Sequence, residues 1–281
     1  MSMTFLSKHI TEFTFPDGQP HIKIERFNEY VTCRITNGDD LVKVCLLLDT
    51  YCKAGKPVDL MVLYTMGERM DRQISKFEPC TTDVVSTFLR NWSTRPNVNI
   101  TILSPHSSAI LAAVGRVDRQ RHDIETESVF YDMSIKHFLS FVGKSKQEIE
   151  YRSSDVTIVM PDKGAFKRVS NTPVMRWWPT ANIVVLDKTR ELSTGRITGM
   201  KLESGIPTKN CIILDDLCDG GATFVSAAKI LRENGAKTVG LSVVKGIFSK
   251  GTVLEGIDFI ATTNAYKDFE SRPDFYVRNF V

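Results

Sequence analysis

The sequence predicts an α/β protein built on mainly parallel sheets, in two halves of similar size. Three observations carry this. Short apolar runs recur along the chain, each bounded by turn residues. Longer segments of helical period lie between them, and buried strands separated by helices imply parallel pairing. A polar stretch at mid-chain, GKSKQEIEYRSS at 143–154, marks a boundary, giving domains at 1–148 and 149–281.

The elements follow in order. Strands are expected at 21–25, 30–35, 60–64 and 98–103 in the first half, and at 156–160, 183–186, 211–214 and 238–244 in the second. Helices are expected at 39–54, 82–91, 108–114, 134–142 and 223–234. The last carries Val225, Ala228, Ile230 and Leu231 and ends at Asn234-Gly235, an ordinary C-terminal signal.

Composition narrows the class. The chain has 281 residues, 42% hydrophobic and 25% charged, which is ordinary for globular domains. Lys and Arg number 36 against 33 Asp and Glu, a formal net charge of +3. That provides no domain-wide basic field, so nucleic acid is not an expected partner. No apolar run reaches membrane-spanning length, and the N-terminus lacks a signal-type apolar region, so no membrane partner is expected either. The six cysteines show no CxxC pair or disulfide-type spacing. Reduced thiols in a cytoplasmic protein are the expectation.

The most informative stretch is CIILDDLCDGGATFV at 211–225. An apolar strand runs into Asp215 and Asp216, and a glycine turn then feeds a helix. Ligands of open parallel sheets bind at the carboxyl ends of strands. In the loop Asp219-Gly220-Gly221-Ala222-Thr223, glycines let backbone N–H groups converge at a helix N-terminus, which favours an anion. The expectation is a phosphate cradle, with Thr223 adding a hydroxyl. Two carboxylates beside a phosphate repel it unless they bind sugar hydroxyls or a divalent cation.

The residues of this stretch resemble the ribose-phosphate loop of phosphoribosyltransferase-type folds: two acidic residues, two apolar ones, then Asp-Thr-Gly-Gly-Thr. Further segments resemble the ribose-phosphate pyrophosphokinases, or PRPP synthetases, in the family's order and over nearly the whole chain. FPDGQPHIKIE at 15–25 resembles their early ATP-site segment. GERMDRQ at 67–73 resembles Ala-Arg-Gln-Asp-Arg, and LSPHS at 103–107 sits where the family has Asp-Leu-His. VMPDKGAFKRV at 159–169 resembles Ser-Pro-Asp-x-Gly-Gly with its later Arg, and LDKTR at 186–190 resembles Asp-Lys-x-Arg. IFSKG at 247–251 and TTNA at 262–265 resemble late family elements.

The resemblance implies two similar type I phosphoribosyltransferase-like domains. It implies a diphosphokinase that moves the β,γ-diphosphate of ATP onto the C1 hydroxyl of ribose 5-phosphate, giving PRPP and AMP. Such a transfer needs positioning and charge neutralisation more than covalent help. Lys188 and Arg190 would be catalytic, within a polar stretch, KTRELSTGRITG at 188–199, that reads as a mobile lid. Two residues apart on extended chain, their side chains share a side. Asp215, Asp216, Asp219, Gly220, Gly221, Ala222 and Thr223 would hold the ribose phosphate.

Phe15, Asp17, Gln19, Arg69, Asp71 and His106 would serve ATP, with Arg72 a weaker candidate. Phe15 reads equally as core or as an adenine platform. His106 and Asp162 match the family's Mg²⁺ positions; without the resemblance, His106 after Pro105 reads as a helix cap. A homo-oligomer, dimer or hexamer, is also implied, because a neighbouring subunit completes the family's adenine site.

The sequence departs from the family where it matters for substrate. The family threonine of the phosphate loop is Gly220, and its second glycine is Ala222. Gln19 stands for a usual Glu and Met70 for a usual Gln. SAILAAVG at 108–115 replaces a Gln-rich segment, and the region at 245–258 is compressed. The last feature puts the family's phosphate and ADP regulation in question. Divergent phage-type members use ADP-ribose as acceptor for NAD salvage, and Gly220 fits that alternative by removing a side chain. A non-catalytic regulatory subunit is a third reading, and a nucleobase phosphoribosyltransferase a weaker fourth.

Overall fold

A computed structural model of the chain describes residues 3–107, 109–111, 120–150, 155–190 and 197–280. It divides into two compact units, residues 1–123 with 279–281, and residues 124–278.

The first unit opens with an antiparallel hairpin, β1 (Ile10–Thr14) and β2 (Pro20–Ile24). A three-stranded parallel sheet follows, in the order β3 (Tyr30–Ile35), β4 (Val58–Thr65), β5 (Val98–Ile102). Helices α1 (Gly38–Lys53) and α2 (Thr81–Ser93) connect these strands. Asn37 caps α1 by accepting from the Asp40 amide at 3.0 Å, which satisfies one of the helix's unpaired donors. Val44, Leu47, Leu48 and Tyr51 form the buried stripe of α1 and pack with Ile35, Val62 and Ile102, the spacing expected of a helix lying on a sheet.

The second unit is a seven-stranded sheet in the order β12-β11-β10-β9-β6-β7-β8. Its strands are β6 (Val156–Met160), β7 (Asn182–Arg190), β8 (Ile197–Ser204), β9 (Asn210–Cys218), β10 (Thr238–Gly246), β11 (Phe259–Thr263) and β12 (Phe275–Arg278). All neighbours are parallel except β7 and β8. The helices are α3 (Gln120–Phe141), α4 (Lys146–Glu150), α5 (Lys163–Ser170), α6 (Val174–Trp177) and α7 (Ala222–Glu233).

From β6 the chain crosses through α5 and α6 to β7 on one side. From β9 it crosses through α7 to β10 on the other. The adjacent pair β6 and β9 is therefore the topological switch point, where a crevice opens at the strands' carboxyl ends.

All eight strands expected from sequence are present, and β4, β7, β9 and β10 are longer than read. The helix expected at 134–142 is the end of α3, which starts at Gln120. The helix expected at 108–114 falls largely outside the described residues, with 109–111 helical. The stripe of α7 is Phe224, Ala227, Ala228 and Leu231, with Val225 and Ile230 only half-buried. Strands β1, β8, β11 and β12 were not read from sequence. The first three residues of β8 fell inside the 188–199 stretch taken as polar loop, and its pairing with β7 is not encoded by local spacing.

The division between units lies in the first turn of α3, ahead of the 143–154 stretch. The rest of α3 belongs to the second unit for a physical reason. Tyr131 donates to the Asp215 carbonyl at 2.8 Å, Phe138 and Phe141 pack on Phe259, and His137 stacks on Tyr276. No helix among the described residues is long and apolar enough to cross a membrane.

Candidate functional site

The switch point carries the site. β9 pairs with β6 only as far as Val159 opposite Ile213, whereas its pairing with β10 continues to Cys218 opposite Gly246. Asp215 and Asp216 thus lie on a strand whose β6-facing edge has become free. Both are buried, at 7% and 1% exposure. Neighbours on a strand point to opposite faces, yet one guanidinium nitrogen serves both. Arg168 of α5 donates from Nη2 to Asp216 Oδ1 at 2.7 Å and also to Asp215 Oδ1. It reaches both from the edge that β6 has vacated. The Asp216 amide is taken by Asp215 Oδ1 at 3.0 Å.

Burial raises the Asp215 carboxyl well above its ordinary value. The Asp216 carboxylate adds to this and Arg168 opposes it. Burial likewise pushes the Tyr131 phenol well up, with Glu127, Asp215 and Asp216 adding to the effect. The two carboxylates are therefore a pair with its own counter-ion, not open anions at a strand end.

Asp162 follows β6 and caps α5, accepting from the Ala165 amide at 2.8 Å through Oδ1. Its charge reaches Asp215 and adds to that group's raised pKa. The loop at 219–223 follows Cys218. Gly221 is the N-cap of α7, at φ +78°, and no side chain caps the helix there. The Phe224 amide donates to the Gly221 carbonyl at 2.9 Å, which leaves the amides of Ala222 and Thr223 for water or an anion. A β-carbon at Gly221 would collide with Leu254, so this position requires glycine. Gly220 differs. A β-carbon there would lie 3.5 Å from the Lys250 side-chain methylenes, an ordinary contact. Asp219, Gly220 and Thr223 are half-buried and Ala222 is exposed.

Lys188 and Arg190 lie on β7 by backbone, opposite Met200 and Ile197 of β8. Their side chains, and residues 191–196 of the expected lid, lie outside the described residues. The pairing slips between Thr189 and Arg190, and the extra residue falls on β8, between Gly199 and Ile197.

The remaining candidates belong to the first unit. Phe15, Asp17 and Gln19 form the β1–β2 turn. The Phe15 amide donates to the Gln19 carbonyl at 2.9 Å, and Asp17 accepts from the Gln19 amide at 3.2 Å and from its side chain at 3.0 Å. Phe15 is 45% exposed and packs edge-on against Phe13, 5.2 Å between ring centres. It is not core. Arg69 and Arg72 are exposed and Asp71 is half-buried, all in the loop after β4. His106 is half-buried beyond the end of β5. It follows Ser104, which holds a left-handed φ of +39°, a strained conformation for a residue with a side chain.

Among the described residues no group of three His, Cys, Asp or Glu side chains forms a metal cage. His106 lies in the first unit and Asp162 in the second, and an imidazole or a carboxylate is each, by itself, a donor type suited to a divalent cation such as Mg²⁺. That ion keeps several waters and takes one or two protein ligands beside substrate phosphates.

Sequence reasoning missed Tyr131, and took Arg168 and Lys250 only as parts of motifs. None has a local signal, because each meets the site through long-range packing.

This arrangement defines a class: an α/β protein with a strand–glycine loop–helix turn beside a buried carboxylate pair. The comparisons narrow it. The chain is 26% identical to a ribose-phosphate pyrophosphokinase of Mycoplasma pneumoniae over 286 residues, covering 95% of this chain and 80% of that one. One from Pyrococcus abyssi is 22% identical over 262 residues, covering 89% and 81%. One from Ureaplasma parvum is 26% identical over 212 residues, and there the match spans 75% of this chain and 58% of the relative. No family model matches. The fold matches a phosphoribosylpyrophosphate synthetase of Mycobacterium smegmatis with a TM-score of 0.71 at 18% identity, over 96% of this chain and 85% of that one. The chain is a divergent relative of the ribose-phosphate pyrophosphokinases.

Proposed function

We propose that the protein is a ribose-phosphate diphosphokinase. It transfers the β,γ-diphosphate of ATP to the C1 hydroxyl of ribose 5-phosphate. The new bond forms between the sugar oxygen and the β-phosphorus, the bond from that phosphorus to the α-phosphate oxygen breaks, and AMP leaves. The hydroxyl proton passes to solvent. The observation that carries this reading is the Asp215–Asp216 pair, gripped by Arg168 and followed directly by the uncapped, glycine-turned N-terminus of α7.

The ribose hydroxyls donate to Asp215 and Asp216, with Arg168 sharing its hold on the pair. The amides of 219–223 and the Thr223 hydroxyl receive the 5-phosphate. Lys188 and Arg190 stabilise charge on the transferring phosphates. ATP is bound by Phe15, Asp17, Gln19, Arg69, Asp71 and His106. Mg²⁺, when bound, would neutralise phosphate charge, and His106 of the first unit and Asp162 of the second are each proposed as a ligand to it. The enzyme works as a cytoplasmic homo-oligomer.

The test is product analysis with ATP and Mg²⁺, offering ribose 5-phosphate and ADP-ribose separately. AMP formed with ribose 5-phosphate supports the proposal. AMP formed only with ADP-ribose reassigns the acceptor, and no AMP with either points to a regulatory subunit.

A further inference from the structure

Gly220 gives the phosphate loop no side chain, and the space beside it is not empty. The Cδ and Cε methylenes of Lys250 lie 3.5 Å from where a β-carbon at Gly220 would stand. Lys250 comes from the loop after β10. That loop folds back on the end of β9, with the amides of Ile247 and Phe248 donating to the Cys218 carbonyl at 2.8 and 3.2 Å. The Lys250 ammonium is one bond beyond Cε. It is exposed and makes no hydrogen bond or ion pair with the described residues.

The charge around it is otherwise committed or negative. Arg168 is held by Asp215 and Asp216, Asp219 opens the loop, and residues 217–224 contain no basic side chain. A phosphate bound on the α7 amides would meet helix-end partial charge and nearby carboxylates, with the exposed Lys250 side chain alongside the loop.

We propose that Lys250 is a binding residue for the acceptor's 5′-phosphate group, its stem laid across Gly220 and its ammonium closing on the phosphate from outside the loop. Glycine at 220 then has a second role: it makes the bed for that stem. A side chain longer than alanine's would displace the lysine stem from the loop. This rests on the phosphate-cradle reading of residues 219–223.

The experiment compares Lys250→Met, which keeps the stem and removes the charge, with Lys250→Arg and with the unaltered protein. Each is titrated with ribose 5-phosphate and with ADP-ribose by calorimetry, and acceptor and ATP KM values are measured where turnover occurs. The expected result is a loss in acceptor affinity of roughly tenfold or more for Lys250→Met, the size expected for a lost charge-assisted contact. Lys250→Arg should largely restore it, ATP KM should not move, and the difference should shrink at high salt.

Unaltered acceptor affinity in Lys250→Met overturns the proposal while leaving the diphosphokinase reading in place. A charge-dependent loss seen only with ADP-ribose supports the Lys250 role and moves the acceptor assignment. Failure of the unaltered protein to bind either acceptor overturns both.

Discussion

Arg168 Nη2 stands 2.7 Å from Asp216 Oδ1 and holds Asp215 as well, so one cation joins the end of β9 to the helix that follows β6. Two adjacent carboxylates are tolerable inside the unit because this nitrogen lies between them. Removing it leaves an uncompensated buried pair, which costs more than the ion pair itself contributes.

Arg168→Met should therefore destabilise the protein by about 3 kcal/mol, read as a lower urea midpoint at unchanged slope. Adding Asp215→Asn to it should recover part of that loss, because the remaining carboxylate no longer has a charged neighbour. An additive double variant would show that the three groups do not act as a unit.

The raised pKa of Asp215 gives a signed pH dependence. A carboxyl whose folded value lies above its unfolded value binds its proton more tightly in the native state. Its contribution is fully present below about 3.8, the ordinary aspartate value, and is lost as pH rises through the raised value. Asp215→Asn removes that term. The stability difference between Asp215→Asn and the unaltered protein should shift in favour of the variant as pH rises above 3.8, in urea unfolding at stepped pH. A parallel pair of curves would refute it. In the acceptor assay, Asp215→Asn and Asp216→Asn should each raise the ribose 5-phosphate KM or lower kcat/KM.

The two loop glycines should separate. Gly221→Ala places a β-carbon at φ +78° against Leu254 and should cost about 2 kcal/mol. Gly220→Ala makes only an ordinary contact with Lys250 and should change stability by less than about 0.5 kcal/mol. Thermal unfolding of the two variants side by side checks this.

Lys188→Ala should lower kcat by at least about a hundredfold, the scale of losing one group that stabilises transition-state charge. Binding of ribose 5-phosphate, measured by calorimetry, should stay close to that of the unaltered protein. Full turnover by this variant would remove Lys188 from the catalytic set.

Local pattern carried much of the fold. The strand at 156–160 was read to the residue because it is a continuous apolar or β-branched run, and so was that at 30–35, where only Arg34 interrupts such a run. The glycine turn at 220–221 was legible because only glycine suits the left-handed N-cap that a strand-to-helix reversal needs there. The adjacent aspartates stood out in the sequence because two charges at the end of an apolar strand need partners from elsewhere in the chain.

What the tertiary structure decided is what spacing cannot encode. The order β12-β11-β10-β9-β6-β7-β8 put the switch point beside Asp215. The early end of β6 freed the strand edge through which Arg168, 47 positions away in sequence, reaches both carboxylates. Tyr131, 84 positions away, fixes the Asp215 carbonyl, and the loop after β10 lays Lys250 on Gly220. Periodicity records which face of an element is apolar. It does not record which distant side chain arrives to neutralise a buried charge, because that depends on where separate elements stop relative to one another.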